Sequence, residues 1–137
     1  MQELIICKGL PGCGKSYFSK KWVNEDPTKR VRVNRDDIRR MFGPYWIPTR
    51  EKLVTEIEYN TILSSLLNGY SVIVDATNFR HNFEHLQKDL YGPISITVKD
   101  FTDVPIETCI ERDKLRTGDE QVGEAVIRRM YDKYLKK

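Results

Sequence analysis

Gly9-Leu10-Pro11-Gly12-Cys13-Gly14-Lys15-Ser16 decides how this chain is read. The eight residues satisfy G-x-x-x-x-G-K-[ST], and their neighbours supply the context that turns a pattern into a mechanism. Before them, residues 3–8 form a short apolar run with β-branched Ile5 and Ile6; after them a helical pattern opens at Lys15, with Phe18 and Trp22 four apart. Between strand and helix, glycines let backbone amides turn inward around phosphates, and the helix N-terminus adds partial positive charge. Lys15 is then placed to reach the β- and γ-phosphates of a nucleoside triphosphate, and Ser16 to give its hydroxyl to a Mg²⁺ bridging them. Gly9, Gly12, Cys13, Gly14 and the adjoining Tyr17 belong to the same donor-binding loop.

Working outward, Arg30–Asn34 alternates as a short strand, and Asp36 stands where an N-cap would open a helix over residues 37–41. Past the loop of Gly43, Pro44 and Pro48, Tyr59, Ile62, Leu63, Leu66 and Leu67 trace one apolar helical face ending at Gly69. Ser71–Asp75, with Val72, Ile73 and Val74 in sequence, suits a strand covered on both faces and puts Asp75 at its carboxyl end. A helix over residues 80–91, a β-branched strand over 94–101 and a helix from Pro105 toward Arg116 follow, the last broken by Thr117, Gly118 and Asp119. Val126, Ile127, Met130, Tyr131, Tyr134 and Leu135 mark a final helix. Strands alternating with helices predict an α/β fold of the P-loop type: a parallel sheet of about four strands flanked by helices, with a site at the strands' carboxyl ends.

A chain of 137 residues suits a single domain, here 1–137, with a lid around residues 112–122. Its 39% hydrophobic and 31% charged residues, without low-complexity tracts or repeats, exclude disordered and solenoid classes. The first residues have no basic n-region and too short an apolar run for a signal peptide or membrane span, so a cytosolic protein with no membrane partner is expected. Cys7, Cys13 and Cys109 form no Cys-x-x-Cys pair, and His81 and His85 are the only imidazoles, which supports neither a disulfide framework nor a zinc site. The net charge of +3 is uneven. Residues 28–50 hold Lys29, Arg30, Arg32, Arg35, Arg39, Arg40 and Arg50 against Asp36 and Asp37, a local +5 that reads as a polyanion-binding surface or as a solvated basic face.

Phosphoryl transfer to a hydroxyl needs a carboxylate for the nucleophile and cations that follow charge onto the moving group. Asp36 directly follows a strand, and Arg39 lies about one helical turn on, so the two can face one site as base and cation; the competing role for Asp36 is a simple helix cap. Asp75 resembles a Walker B aspartate in position, serving Mg²⁺ through water or pairing with Arg39, unless it only forms a strand-end turn. Arg112 and Arg116, four apart before a Thr-Gly-Asp break, are placed to project from a lid over the triphosphate, Arg116 being the better candidate. The alternative is a solvated helix with Glu111 and Asp113 as their partners.

These residues together resemble the polynucleotide 5′-hydroxyl kinase family, especially the kinase domain of the bacteriophage type. The resemblance runs through residues 9–16, Val33-Asn34-Arg35-Asp36-Asp37 with Arg39, Asp75-Ala76-Thr77-Asn78, and residues 112–116 followed by 126–131. It implies ATP or another nucleoside triphosphate as donor with Mg²⁺, and single-stranded or end-exposed DNA or RNA bearing a 5′-hydroxyl as acceptor. It also implies Asp36 as general base, Arg39 on the acceptor-side phosphate and transferring group, and Arg112 and Arg116 in the lid. The stretch near Gln121 and Val122 would lie beside the nucleotide base, and a homo-oligomer is compatible with the family. No Asp-x-Asp phosphatase motif and no Lys-x-Asp-Gly ligase motif is present, so neither of those activities is expected. Two other readings compete: a P-loop kinase of a nucleoside, sugar or nucleotide-sugar, and a nucleotide-dependent binding module that transfers nothing. Tyr45 and Trp46, available for base stacking beside the basic segment, favour the polymeric acceptor.

Overall fold

The computed structural model describes residues 1–80, 83, 85–90 and 92–136. Strands β1 (Glu3–Lys8), β2 (Arg30–Asn34), β3 (Ser71–Asp75) and β4 (Ser95–Asp100) form one parallel sheet in the order β2-β3-β1-β4. Side chains alternate along each strand, so the two central strands feed both faces. Leu4, Ile6, Val72 and Val74 pack against Val54, Ile62 and Leu66 of α3 (Glu51–Leu67). Ile5, Cys7 and Ile73 pack against Phe18 and Trp22 of α1 (Lys15–Glu25). This two-sided burial is why β1 and β3 read as continuous apolar runs. A third cluster joins Leu10 and Cys13 of the glycine loop to Cys109 and Ile110 of α5 (Ile106–Lys114) and Ile127 of α6 (Glu124–Tyr134), tying the loop to the last two helices.

Three expectations change. Helix α2 spans Arg35–Arg40 and is capped by Asn34, whose side chain accepts from the Asp37 amide at 2.9 Å; Asp36 therefore sits inside the first turn and caps nothing. Along α3 the apolar face is imperfect: Leu67 is exposed, whereas Glu58 occupies a buried position, ion-paired to Arg35 at 3.0 Å. Of the helix expected over residues 80–91, the described part is α4 (Leu86–Asp89), while His81, Asn82, Glu84 and Tyr91 lie outside the described residues. Among the described residues no helix is long and apolar enough to cross a membrane, and no three His, Cys, Asp or Glu side chains are grouped to hold a metal ion. The three cysteines are free thiols, all buried.

Candidate active site

The glycine loop links β1 to α1 with Gly12 and Gly14 at φ +84° and +104°, a region closed to most side chains. Among the described residues none accepts a backbone hydrogen bond from the amides of Gly12, Gly14, Lys15 or Ser16. A row of unspent donors at a helix N-terminus is what a phosphate chain requires. Lys15 is buried, its Nζ donating to the carbonyls of Gly9 at 2.8 Å and Leu10 at 2.7 Å, with Cys13 Sγ at 3.4 Å.

Ser16 Oγ donates to Asp75 Oδ2 at 2.9 Å, which brings the two expected metal-side residues together across 59 positions of sequence. A single hydroxyl and a single carboxylate suit Mg²⁺, which keeps most of its shell for water and phosphate oxygens. The cationic partner of buried Asp75 is Arg32, with Nε and Nη2 both 2.8 Å from Oδ2, and not Arg39. Asn34 Nδ2 adds a bond to the Asp75 carbonyl at 3.0 Å, consistent with the Asn34–Asp75 register of β2 and β3.

Across the cleft, Asp36 Oδ1 accepts from Arg39 Nη1 and from the Tyr45 hydroxyl, each at 2.7 Å. Arg39 also donates to Glu51 from Nε at 3.0 Å and Nη2 at 2.6 Å, and its guanidinium lies over the Tyr45 and Trp46 rings at 5.9 and 5.4 Å. Burial opposes the Arg39 charge, but the hydrogen bonds and charge of Glu51 outweigh it and hold the pKa above its ordinary value. Hydrogen bonding from Arg39 likewise holds the Glu51 carboxyl below the usual range. Burial, reinforced by the Asp36 charge, pushes the Tyr45 phenol up to about 12. Trp46 remains more than half exposed.

Of the two arginines expected in a lid, Arg112 reaches the loop, its Nη1 donating to the Gly12 carbonyl at 3.4 Å, whereas Arg116 stands 3.9 Å from Asp113, a loose contact with the partner that the solvated-helix alternative named. Asp113 spends its buried carboxylate on the amides of Val122 at 2.9 Å and Gly123 at 2.8 Å, which pins that segment to α5. On the opposite rim, Arg40 bridges to Asp119 at 3.3 Å. The loop thus divides two hollows. A recess of about 600 Å³ is lined by Tyr17, Phe18, Lys21, Lys99, Phe101 and Arg112; a cleft of about 830 Å³ holds Lys15, Asp36, Arg39, Tyr45, Trp46 and Asp75. Gly12, Ser16 and Arg116 border both. Gln121 and Val122 line the cleft on the Asp36 side.

Glu51 escaped the sequence reading, and Arg32, Asp113 and Asp119 were met there without these roles, because each role depends on a partner that only the fold brings close. The basic segment also changes meaning: Arg32, Arg35, Arg39 and Arg40 are each paired with carboxylates, several of them from α3, β3 and the stretch after α5.

The AAA domain family model matches residues 4–136. The L-seryl-tRNA(Sec) kinase of Methanococcus maripaludis is 31% identical over 96% of this chain and 52% of its own length, so the chain spans about half of that relative. A putative bifunctional polynucleotide kinase/RNA ligase of Autographa californica nuclear polyhedrosis virus is 24% identical over 98% of this chain and 21% of its own. Among solved structures, a chain of the Pnkp1/Rnl/Hen1 RNA repair complex superposes with a TM-score of 0.75 at 30% identity, over 97% of this chain and 44% of that one. With a glycine loop, a parallel sheet and these relatives in agreement, the chain belongs to the AAA domain family and has a P-loop kinase-like α/β fold.

Proposed function

We propose that the chain transfers the γ-phosphate of ATP or another nucleoside triphosphate to the 5′-hydroxyl end of DNA or RNA. The observation that carries the reading is the Asp36 carboxylate, which faces the cleft shared with Lys15 and Ser16 while Arg39 and Tyr45 both bind its Oδ1. Oδ2 is left to receive the acceptor's hydroxyl proton. The oxygen of that hydroxyl bonds to the γ-phosphorus as the bond to the β-phosphate bridging oxygen breaks, and the nucleoside diphosphate departs with the negative charge that develops on that oxygen. Lys15 exchanges one loop carbonyl for a phosphate oxygen, the free loop amides hold the β-phosphate, and Arg39 and Arg116 follow charge from either side of the transferring group. Ser16 and Asp75 are the residues that would hold Mg²⁺, whose chemistry is to neutralise charge on the β- and γ-oxygens. Exposed Trp46, beside Arg39, offers a stacking face for the terminal base.

The test is transfer of labelled γ-phosphate to matched acceptors: a 5′-hydroxyl oligonucleotide, the free nucleoside, adenylyl sulfate and seryl-tRNA. Preference for the oligonucleotide supports the reading. Preference for the nucleoside or adenylyl sulfate would replace it with a small-molecule kinase, and preference for seryl-tRNA would move the acceptor hydroxyl from the 5′ end to an aminoacyl group.

A further inference from the structure

Apart from Lys15 and Arg116, cations lining the cleft fall into two groups. Those on the Asp36 side are neutralised: Arg35 by Glu58 and Glu51, Arg39 by Asp36 and Glu51. Those at the α6 end, Arg80 after β3 and Arg129 and Lys133 on α6, pair with no carboxylate among the described residues. They are exposed, and all three line the cleft together with Phe79 and Tyr134. Helical spacing explains the concentration. Val126, Arg129, Met130, Lys133 and Tyr134 recur at three and four positions and share one face of α6, while Arg128 points elsewhere, paired with Glu124 at 2.8 Å and Glu107 at 3.2 Å.

The aromatic groups fix this end as a platform. Phe79 and Tyr134 stack with centroids 4.7 Å apart and planes 9° from parallel, and both Arg80 and Lys133 lie over the Tyr134 ring at 5.7 and 5.4 Å. Three cations without a carboxylate partner among the described residues, two of them over the Tyr134 ring, within a cleft that also contains the proposed base, match the charge of a chain of phosphates rather than of one. We propose that Arg80, Arg129 and Lys133 form a second anion-binding surface, along which the phosphodiester backbone of a single-stranded acceptor lies once its 5′ end is seated at Asp36. This rests on the 5′-hydroxyl kinase reading and extends it from the end to the strand behind it. The basic segment around Asp36 then orients the reacting end, and α6 supplies the sequence-independent grip.

Binding of fluorescent 5′-hydroxyl DNA and RNA oligonucleotides about a dozen residues long, followed by anisotropy across a salt series, tests the surface directly. In Arg129→Ala/Lys133→Ala, oligonucleotide affinity should fall about tenfold, and the log–log salt slope should shrink by about 1.4, roughly 0.7 for each phosphate of a single strand that is no longer neutralised. Arg128→Ala, which removes a neighbouring charge from the same helix, should leave both quantities unchanged. Equal losses in Arg128→Ala and the double variant, or no loss in the latter, would overturn the surface. So would a parent protein that binds neither oligonucleotide. Transfer measured in parallel separates the two ideas: binding through these side chains without 5′ transfer refutes the kinase reading alone, and transfer with binding indifferent to them refutes the surface alone.

Discussion

Glu51 holds Arg39 in a two-pronged grip, Oε2 accepting from Nε at 3.0 Å and Oε1 from Nη2 at 2.6 Å, so that only Nη1 is left to meet Asp36. A planar guanidinium gripped on one edge presents its other edge in a fixed direction. In the proposed transfer, Glu51 is then a positioning residue for the cation that tracks charge on the moving group. Glu51→Gln keeps the shape but gives up one charged acceptor, and should lower turnover about tenfold while triphosphate affinity holds. Steady-state transfer with separate triphosphate binding checks it. An unchanged turnover would reduce Glu51 to a surface ion pair.

Gly12 has no room for a side chain. A Cβ there would press on the carbonyl oxygen of Cys109 and stand 3.1 Å from its carbonyl carbon, at a φ of +84°. Backbone cannot move aside as a flexible side chain can, so Gly12→Ala must displace the loop from α5 or strain it. The expected cost is about 1–3 kcal/mol of stability together with loss of triphosphate binding. Gly43→Ala is the control, since a Cβ there meets nothing within 4 Å although its φ is also positive. Gly43→Ala should carry the φ strain without loss of triphosphate binding, and equal losses of that binding in the two variants would show general destabilisation instead of an effect of the contact with α5.

Much of this was legible beforehand. The sequence pattern delimits β1 and β3, because buried parallel strands are short apolar runs ended by turn formers, and marks β2 by its alternation; the glycine loop carries its own chemistry in its spacing. What stayed hidden needed the third dimension. Asn34, Asp36 and Asp37 are all capable helix caps, and only the folded backbone selects Asn34. The partner of Asp75 follows from strand register: β2 lies beside β3, so Arg32 arrives at the carboxylate and Arg39, on α2, does not. Counting charge along residues 28–50 could not reveal that Glu51, Glu58, Asp75 and Asp119 come in from elsewhere to neutralise it. Nor could it show that Arg129 and Lys133 of α6 line the same cleft with no carboxylate partner among the described residues.

Tyr45 gives the site an alkaline signature. Its hydroxyl donates to Asp36, and burial with the Asp36 charge raises its pKa from 10.0 to about 12. A folded-state pKa above the unfolded value means that the native protein holds this proton more tightly, so the contribution to stability is complete below pH 10 and is lost as pH rises toward about 12. Tyr45→Phe has no proton to lose there. Urea unfolding of both proteins at neutral pH and near pH 11 should show the parent falling more steeply than Tyr45→Phe across that interval. Parallel declines would mean that the phenol is not held by Asp36 in solution.

Asp36 and Asp37 are adjacent carboxylates with different duties, and the structure separates them. Asp37 points outward, pairing with Arg32 at 3.0 Å and Arg40 at 3.1 Å, while its backbone amide satisfies the Asn34 cap. Exposed pairs of this kind contribute little, and Asp37→Asn should cost about 1 kcal/mol or less of stability and leave turnover within a few-fold of the parent. Asp36 lines the cleft, with Arg39 and Tyr45 both on Oδ1. Because the cap belongs to Asn34, the chief structural role that competed for Asp36 is already filled. Asp36→Asn preserves size and at least one acceptor oxygen but removes the charge that, in the proposed transfer, draws the proton from the acceptor hydroxyl. Turnover should then fall on the order of a hundredfold or more, with triphosphate affinity little changed, as loss of a general base requires. Transfer to a 5′-hydroxyl oligonucleotide by both variants, with triphosphate binding measured separately, decides the matter. Were Asp37→Asn the inactive protein and Asp36→Asn the active one, the carboxylate that serves the reaction would have to reach it from the outer face of α2, and the assignment of the cleft would fall with it.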